Sequence, residues 1–184
     1  MIITITGKPC SGKGTVSKLF AQKYNFEYIC TGDMFRECAA KLGFASVLEF
    51  QQNYKDILSF DKQIDNQTAE IGKTRINENI IFDSRLAWHF IPNSFKVFID
   101  IDWDTAAKRL LTANRSSEKV SDIQSAKQTL LDRWEEENSR YLKLYQTNNT
   151  NSNNYDLVIS SSNLTPEEVA EKIYEEYKKF MQNA

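Results

Sequence analysis

The sequence lacks the patterns that would tie it to a disulfide framework, a zinc site or a membrane. Its 184 residues include three cysteines and one histidine. No two cysteines are spaced as C-x-x-C, so neither paired disulfides nor a zinc cluster is expected. No apolar run approaches the roughly 18 residues of a membrane-spanning helix, and the N-terminus lacks the basic and long apolar segments of a signal peptide. These absences predict a cytoplasmic protein with reduced thiols.

The sequence also lacks an excess of charge of either sign. Lys and Arg number 23, Asp and Glu number 25, and the formal net charge is −2. Such a balance offers no electrostatic basis for binding nucleic acid or an anionic membrane, so small molecules are the expected partners. The chain is long enough to bury one sizeable core, since 41% of its residues are hydrophobic. The oligomeric state is left open.

Strand and helix patterns alternate along the chain. Short apolar, β-branched runs predict strands at residues 2–6, 26–30, 79–82, 95–101 and 155–160. Apolar residues at helical spacing come after each of the first four predicted strands, directly or beyond a loop. After the fifth, residues 165–168 read T-P-E-E, which is typical of a helix start. The alternation predicts an α/β sandwich around a five-stranded, mainly parallel sheet.

Three segments fall outside this alternation. Residues 44–79 carry helical patterns and little strand character, so an insertion on the core is expected there. Residues 115–122 are polar and Ser-rich, which predicts a mobile loop. Residues 147–154 are Asn-rich and of low complexity, and they are expected to form a flexible connection.

A glycine-rich turn follows the first strand. Residues 7–15 read G-K-P-C-S-G-K-G-T, with the G-x-x-x-x-G-K spacing of a phosphate-binding loop. Such a loop aims backbone N–H groups into one concavity at a helix N-terminus, and Lys13 adds a cation. The fold class is therefore expected to be the three-layer sandwich of P-loop NTPases. The loop residues expected to bind ATP are Gly7, Pro9, Cys10, Ser11, Gly12, Lys13, Gly14 and Thr15.

Two motifs resemble those of the nucleoside monophosphate kinases. The G-K-G-T form of the loop is similar to that of adenylate kinase, and residues 31–36, T-G-D-M-F-R, resemble the acceptor-binding segment of the family. The resemblance implies that Thr31 contacts the acceptor nucleotide, Asp33 lies near the metal's water shell and Arg36 holds the acceptor phosphate. From the residues alone, Thr31 is predicted to cap a helix.

A third motif places an acid at the end of a predicted central strand. Residues 80–88 read I-I-F-D-S-R-L-A-W. A P-loop enzyme holds hydrated Mg²⁺ at such an acid, here Asp83, and Arg85 fits a clamp on the acceptor phosphate. The R-L-A-W string resembles the G-R-L-A-G-W segment of the cytidylate kinase-like branch, the type common in archaea, although two of its glycines are absent here. The resemblance favours CMP or dCMP as the acceptor.

A fourth motif lies on a long charged helix. Arg133, Glu137 and Arg140 fall on one helical face, and the first two form an i,i+4 pair. The pattern resembles the arginine–acid–arginine helix that follows the lid of cytidylate kinases. The resemblance implies phosphate contacts for both arginines and acceptor binding for Glu137. It also implies ATP contacts for Arg109, at the base-stacking position, and for Arg115, which is offset by its spacing.

These motifs predict ATP- and Mg²⁺-dependent phosphoryl transfer to a nucleoside monophosphate. A phosphate acceptor is largely ionised at neutral pH and needs no strong general base. The expected kinase domain has a core at 1–43, 77–114 and 123–184, an acceptor-binding insertion at about 44–76 and a lid at about 115–122. The residues expected to act in catalysis are Lys13, Arg85, Arg133 and Arg140. Those expected to bind the acceptor are Thr31, Asp33, Arg36, Arg85, Glu137 and Arg140. Those expected near the metal are Asp33, Asp83 (through water) and Thr15.

The acceptor base and the class of function each leave an alternative open. Asp61, Gln63 and Asp65 lie in the inserted region, where an Asp could accept a hydrogen bond from a cytosine amino group. The loop and the T-G-D-M string alone would equally suit adenylate kinase, and another small-molecule P-loop kinase is a further possibility. A non-catalytic nucleotide-binding regulatory protein is the alternative from a different class.

Overall fold

A parallel sheet forms the middle layer of the computed structural model, which describes residues 1–45, 49–50, 53–54, 57–112 and 120–183. The strands in this part of the chain are β1 (Ile2–Gly7), β2 (Glu27–Cys30), β3 (Ile80–Asp83), β4 (Phe95–Asp100) and β5 (Leu157–Ser160). They lie in the order β2-β3-β1-β4-β5, and all four pairings are parallel. All six residues of β1 are buried, as expected for a central strand covered on both faces.

Helices cover both faces of the sheet. Those of the described residues are α1 (Lys13–Tyr24), α2 (Thr31–Lys41), α3 (Ile57–Thr74), α4 (Ala87–Phe90), α5 (Trp103–Thr112), α6 (Ile123–Tyr145) and α7 (Pro166–Asn183). Alternate residues of β1 point to opposite faces: Ile3 and Ile5 pack into the cluster formed with α1 and α7, whereas Ile2 packs into the cluster formed with α4. None of the helices in the described ranges is long and apolar enough to cross a membrane.

The expected fold class is confirmed: the chain forms an α/β three-layer sandwich with a parallel sheet. The inserted region contains α3, while parts of it (46–48, 51–52 and 55–56) lie outside the described residues. The predicted lid also lies largely outside them, at 115–119. Its last residue, Asp122, is the N-cap of α6 and accepts a hydrogen bond from the Ser125 amide at 2.9 Å.

Two expectations about local structure are wrong. Thr31 does not cap α2, because the N-cap is Cys30, whose extended backbone (φ −121°) ends β2, and Thr31 is already helical. The segment 147–154 is not a flexible connection. The Asn149 side chain is buried and accepts a hydrogen bond from Trp88 Nε1 at 2.9 Å, while its carbonyl accepts one from the Tyr155 hydroxyl at 2.9 Å. These partners replace water at the side-chain oxygen and at the carbonyl, whereas Asn149 Nδ2 is buried without a hydrogen-bond partner among the described residues.

Candidate active site

The loop at residues 7–15 turns tightly against the end of β4. A Cβ at Gly7 would lie 2.3 Å from the Ile99 carbonyl oxygen, so only glycine permits this approach. The Lys8 amide donates to that same oxygen at 3.2 Å, and the Ser11 amide donates to the Lys8 carbonyl at 3.2 Å. Gly12, the N-cap of α1, has φ 83°, in the left-handed region. The segment therefore ends at a helix N-terminus, as a phosphate-binding loop requires.

Lys13 and Asp83 meet beside this loop. The Lys13 ammonium donates to Asp83 Oδ1, and the Tyr28 hydroxyl donates to Asp83 Oδ2 at 3.1 Å. The carboxylate is almost completely buried, with Asp83 only 4% exposed. Burial, followed by the charge of Arg85, lowers the pKa of Lys13, whereas a contacting carboxylate favours the ammonium form.

The donor set at this position fits a hydrated Mg²⁺. Mg²⁺ is bound in proteins by one or two carboxylates together with waters and phosphates. A Cβ at residue 14 would lie 3.1 Å from Asp83 Oδ2, so Gly14 keeps space open beside the carboxylate. Thr15 is exposed in the first turn of α1. The described residues contain no group of three or more His, Cys, Asp or Glu that could hold a metal ion directly.

Arg85 joins three elements around the loop. Its Nη1 donates to the Gly7 carbonyl oxygen at 2.6 Å, and its Nε lies 3.2 Å from Glu137 Oε2 on α6. Glu137 also pairs with Arg133, with Oε1 3.3 Å from Arg133 Nε. The end of β3, the phosphate loop and α6 therefore converge at two guanidinium groups and one carboxylate. The predicted i,i+4 pair on α6 is present.

The residues of the T-G-D-M-F-R motif lie at the start of α2. Arg36 donates from Nε to Asp33 Oδ1 at 3.1 Å, and this pairing lowers the pKa of Asp33. Arg36 Nη2 also lies 3.9 Å from the Cys30 sulfur, at the end of β2. Both members of the ion pair are exposed. Asp33 and Asp83, the two acids expected near the metal, thus have separate partners.

Arg140 lies on the side of α6 that faces the inserted helix α3. Its Nη1 is 3.9 Å from Asp61 Oδ2, and the Tyr145 hydroxyl donates to Asp65 Oδ2 one turn further along α3. Burial raises the pKa of Asp61 and of Asp65. The structure therefore places Arg140 near the buried Asp61 and the half-buried Asp65. Arg133 lies with Glu137 and Arg85.

Arg109 connects the phosphate loop to the segment after β5. Its Nη2 donates to the Ser161 carbonyl at 2.7 Å, and its Nη1 donates to the Ser161 hydroxyl at 3.2 Å and to the Cys10 carbonyl at 3.4 Å. This position adjoins the loop residues expected to bind ATP. Arg115, the other arginine expected there, lies outside the described residues.

Sequence reasoning missed Tyr28 and Ser161. Tyr28 carried no signal, because an aromatic residue in a strand is typical of ordinary packing. Ser161 did carry one: a run of serines follows β5 at the carboxyl edge of the sheet, where α/β proteins bind ligands.

Sequence comparisons point to one family. The profile of the cytidylate kinase-like family matches residues 2–163. A cytidylate kinase of Archaeoglobus fulgidus is 35% identical over 174 residues, which cover 94% of this chain and 92% of the relative. One from Methanococcus aeolicus is 34% identical over 163 residues, covering 88% of this chain and 89% of the relative.

A longer relative carries a different name. The S-adenosylmethionine-dependent nucleotide dehydratase of Lacinutrix mariniflava is 36% identical over 179 residues, which cover 96% of this chain. The chain spans only 36% of the length of that relative.

Solved structures share the fold at low sequence identity. An uncharacterised protein from Eubacterium ventriosum superposes with a TM-score of 0.71 at 19% identity, covering 95% of this chain and 96% of that one. Shikimate kinase from Bacteroides thetaiotaomicron superposes with a TM-score of 0.65 at 16% identity, covering 99% and 98%. These likenesses establish the architecture, and the match of the family profile over most of the chain shows that it belongs to the cytidylate kinase-like family.

Proposed function

We propose that the chain is a nucleoside monophosphate kinase that uses ATP and Mg²⁺ and prefers CMP or dCMP as the acceptor. The observation that carries the proposal is the position of Arg85, between the Gly7 carbonyl of the phosphate loop and Glu137 of α6. A kinase needs a cation where the donor and acceptor phosphates meet, because the transferring group spreads negative charge over its oxygens. A protein that only binds ATP needs cations for the donor phosphates alone and requires none for an acceptor phosphate.

The described side chains divide between the two nucleotides. Lys13, at the N-terminus of α1, and Arg109, bonded to Cys10, are assigned to ATP. Arg36 and Arg85 are assigned to the acceptor phosphate. Arg133 is assigned to the transferring phosphate, since Glu137 holds it beside Arg85.

Magnesium would be held through water at Asp83, and Asp33 and Thr15 are retained as further candidates. The ion would supply charge neutralisation on the donor phosphates. Rotation of its flexible side chain would bring the Lys13 ammonium from Asp83 to those phosphates, and the ion pair with Asp83 would weaken.

The preference for cytosine rests on the acids of α3. Asp61 is 8% exposed and lies near Arg140, and Asp65 is held by Tyr145. An ionised carboxylate can accept a hydrogen bond from the cytosine amino group, whereas uracil offers a carbonyl at that position. We propose that this part of the 44–76 insertion reads the base, and that residues 115–122 act as a lid over the phosphates.

An acceptor panel tests the proposal. ADP release is measured with ATP and Mg²⁺ against CMP, dCMP, UMP, AMP and GMP, with a control lacking acceptor. Turnover with CMP or dCMP well above the other three supports the proposal. Preference for AMP would retain the kinase and overturn the cytosine assignment. ATP binding without acceptor-dependent turnover would favour the non-catalytic alternative.

A further inference from the structure

The two oxygens of the Asp83 carboxylate have different partners. Oδ1 accepts from the Lys13 ammonium, and Oδ2 accepts from the Tyr28 hydroxyl at 3.1 Å. Because Asp83 is only 4% exposed, water contributes little to its solvation. The orientation of the carboxylate therefore depends on these two side chains.

One of the two partners has a second task under the proposed function. When the Lys13 ammonium turns to the donor phosphates, its bond to Asp83 Oδ1 is weakened or lost, because its three N–H donors are then shared with phosphate oxygens. A buried carboxylate that loses its cation becomes costly and free to rotate unless another donor holds it. The Tyr28 hydroxyl can do so, because Oδ2 faces it without any contribution from Lys13.

Gly14 leaves open space beside the Asp83 oxygen that the Tyr28 hydroxyl contacts. Residue 14 directly follows the loop lysine, and in the simplest phosphate-loop pattern a Ser or Thr there brings a hydroxyl to the metal. Here it is Gly14, whose Cβ, if present, would lie 3.1 Å from the same Oδ2. The Tyr28 hydroxyl donates to the oxygen that borders this open space.

The Tyr28 side chain is held on a rigid support. β2 and β3 pair in parallel, with Tyr28 opposite Ile81 and Cys30 opposite Asp83. The Lys18 ammonium lies over the Tyr28 ring, 5.5 Å from its centroid. The strand holds the Tyr28 backbone and Lys18 packs on its ring, so the hydroxyl can orient the neighbouring carboxylate with little further loss of side-chain entropy.

We propose that Tyr28 is a positioning residue that holds Asp83 toward Mg²⁺ while Lys13 is engaged with the donor phosphates. The proposal rests on the proposed use of ATP and Mg²⁺, and it does not depend on which monophosphate is the acceptor.

This role can be tested by calorimetric measurement of ATP affinity, once in the presence of Mg²⁺ and once in the presence of EDTA. Tyr28→Phe removes the hydroxyl and keeps the ring. We expect the Mg²⁺-dependent gain in ATP affinity to fall about tenfold, the loss of one hydrogen bond to a charged group. ATP affinity in EDTA should stay close to the wild-type value, and the midpoint of thermal unfolding should fall by only a few degrees, about 2–4 °C per kcal/mol for a chain of this size, because Lys13 still pairs with Asp83 when no nucleotide is bound. In an Asp83→Asn background the same substitution should cause no further loss, since the two side chains act as one unit.

The matched control is Tyr174→Phe. Tyr174 is likewise half-buried against the cluster formed by β1, α1 and α7, so it reports the general effect of deleting such a hydroxyl. It should leave both affinities unchanged.

Three results would overturn the role of Tyr28. The first is a Tyr28→Phe variant whose ATP affinity rises with Mg²⁺ as much as that of the wild type. The second is a loss of ATP affinity in Tyr28→Phe that is as large in EDTA as in Mg²⁺. The third is a wild-type ATP affinity that is the same with Mg²⁺ and with EDTA. If the wild-type protein bound ATP more tightly with Mg²⁺ but phosphorylated no monophosphate, the proposed function would be overturned. The ATP affinities of wild type and Tyr28→Phe would still test the role of Tyr28.

Discussion

Single side chains set the charge balance of the site. Lys13 is the cation at the N-terminus of α1, and its ammonium contacts the buried Asp83. Arg85 and Arg133 share the Glu137 carboxylate. Charged side chains that are already in position, at a site from which water is excluded, can stabilise the charge that develops on the transferring phosphate without rearranging. Single substitutions of these side chains should therefore have large effects on rate.

Lys13→Met should lower turnover by about 10²–10³-fold, because no other side chain is assigned to neutralise the donor phosphates at that point. Loss of the ion pair should also lower the free energy of unfolding by about 1–3 kcal/mol, since Asp83 keeps only its bond from Tyr28. Turnover of CMP and urea unfolding measure the two effects. Lys23→Met is the control, because Lys23 is exposed on the same helix and pairs with Glu171. More than about a tenth of wild-type turnover would contradict the assignment.

Asp61→Asn should lower kcat/KM for CMP about tenfold relative to UMP, because a side-chain amide can donate to the uracil carbonyl, whereas the carboxylate only accepts, as from the cytosine amino group. Burial raises the pKa of Asp61, so the acid takes up its proton at a higher pH than an exposed Asp would. Wild-type kcat/KM for CMP should therefore fall as the pH is lowered, from a higher pH than an exposed Asp would allow, and Asp61→Asn should remove part of that fall. The remainder reflects the CMP phosphate itself, whose second pKa is about 6.

Glu70→Gln is the matched control for that series, since Glu70 is exposed on the same helix. It should follow the wild-type pH profile. An unchanged ratio of kcat/KM between CMP and UMP in Asp61→Asn would show that Asp61 does not bind the base.

At the scale of elements, the inserted helix α3 is fitted closely to the core. Gly72 faces Ile91, and a Cβ at this glycine would lie 2.8 Å from Ile91 Cγ1 and 3.0 Å from Cγ2. Ile91 is 2% exposed, within the cluster formed by Ile2, Ile80 and Phe82. The close approach sets the distance of α3 from α4, and with it the place of the acids on α3.

Gly72→Ala should therefore destabilise the protein by a net of up to about 2 kcal/mol, because overpacking usually costs about 1–3 kcal/mol. That cost outweighs the gain of about 1 kcal/mol in helix propensity. The free energy of unfolding in urea measures the balance. Asn66→Ala, at an exposed position of the same helix, should be neutral or slightly stabilising. If Gly72→Ala were as stable as the wild type, Ile91 would have to shift without cost.

At the scale of the whole molecule, the proposed function assigns the two nucleotides to different elements. The phosphate loop and α1 would bind the donor, while α2, α3 and α6 would bind the acceptor. Because the sheet is parallel, the loops at the carboxyl ends of its strands meet at one edge, and this edge brings the two sets together.

A non-hydrolysable ATP analogue with Mg²⁺ and CMP should therefore raise the midpoint of thermal unfolding. At 100 times its dissociation constant, each nucleotide contributes about 2.7 kcal/mol, or roughly 5–10 °C for a chain of this size. UMP in place of CMP at the same concentration should add much less to the effect of the analogue. Equal shifts with CMP and UMP would contradict base selection by α3.

Local patterns in the sequence were sufficient for the elements and for the family. The period of apolar residues predicts strands and helices, and the G-x-x-x-x-G-K spacing predicts the loop, because both depend on backbone geometry over a few residues. The same reasoning failed at Thr31 and at residues 147–154. At 147–154 a distant partner, Trp88, made burial of Asn149 favourable.

The sequence by itself determined the α/β class, the phosphate loop and the resemblance to cytidylate kinases, and only the tertiary structure decided which side chains meet. Tyr28 reaches Asp83 across 55 residues, and Arg85 reaches Gly7 across 78. Those pairings follow from the strand order β2-β3-β1. Contacts between neighbouring strands depend on how distant segments pack into one core, and no local spacing in the sequence records that arrangement.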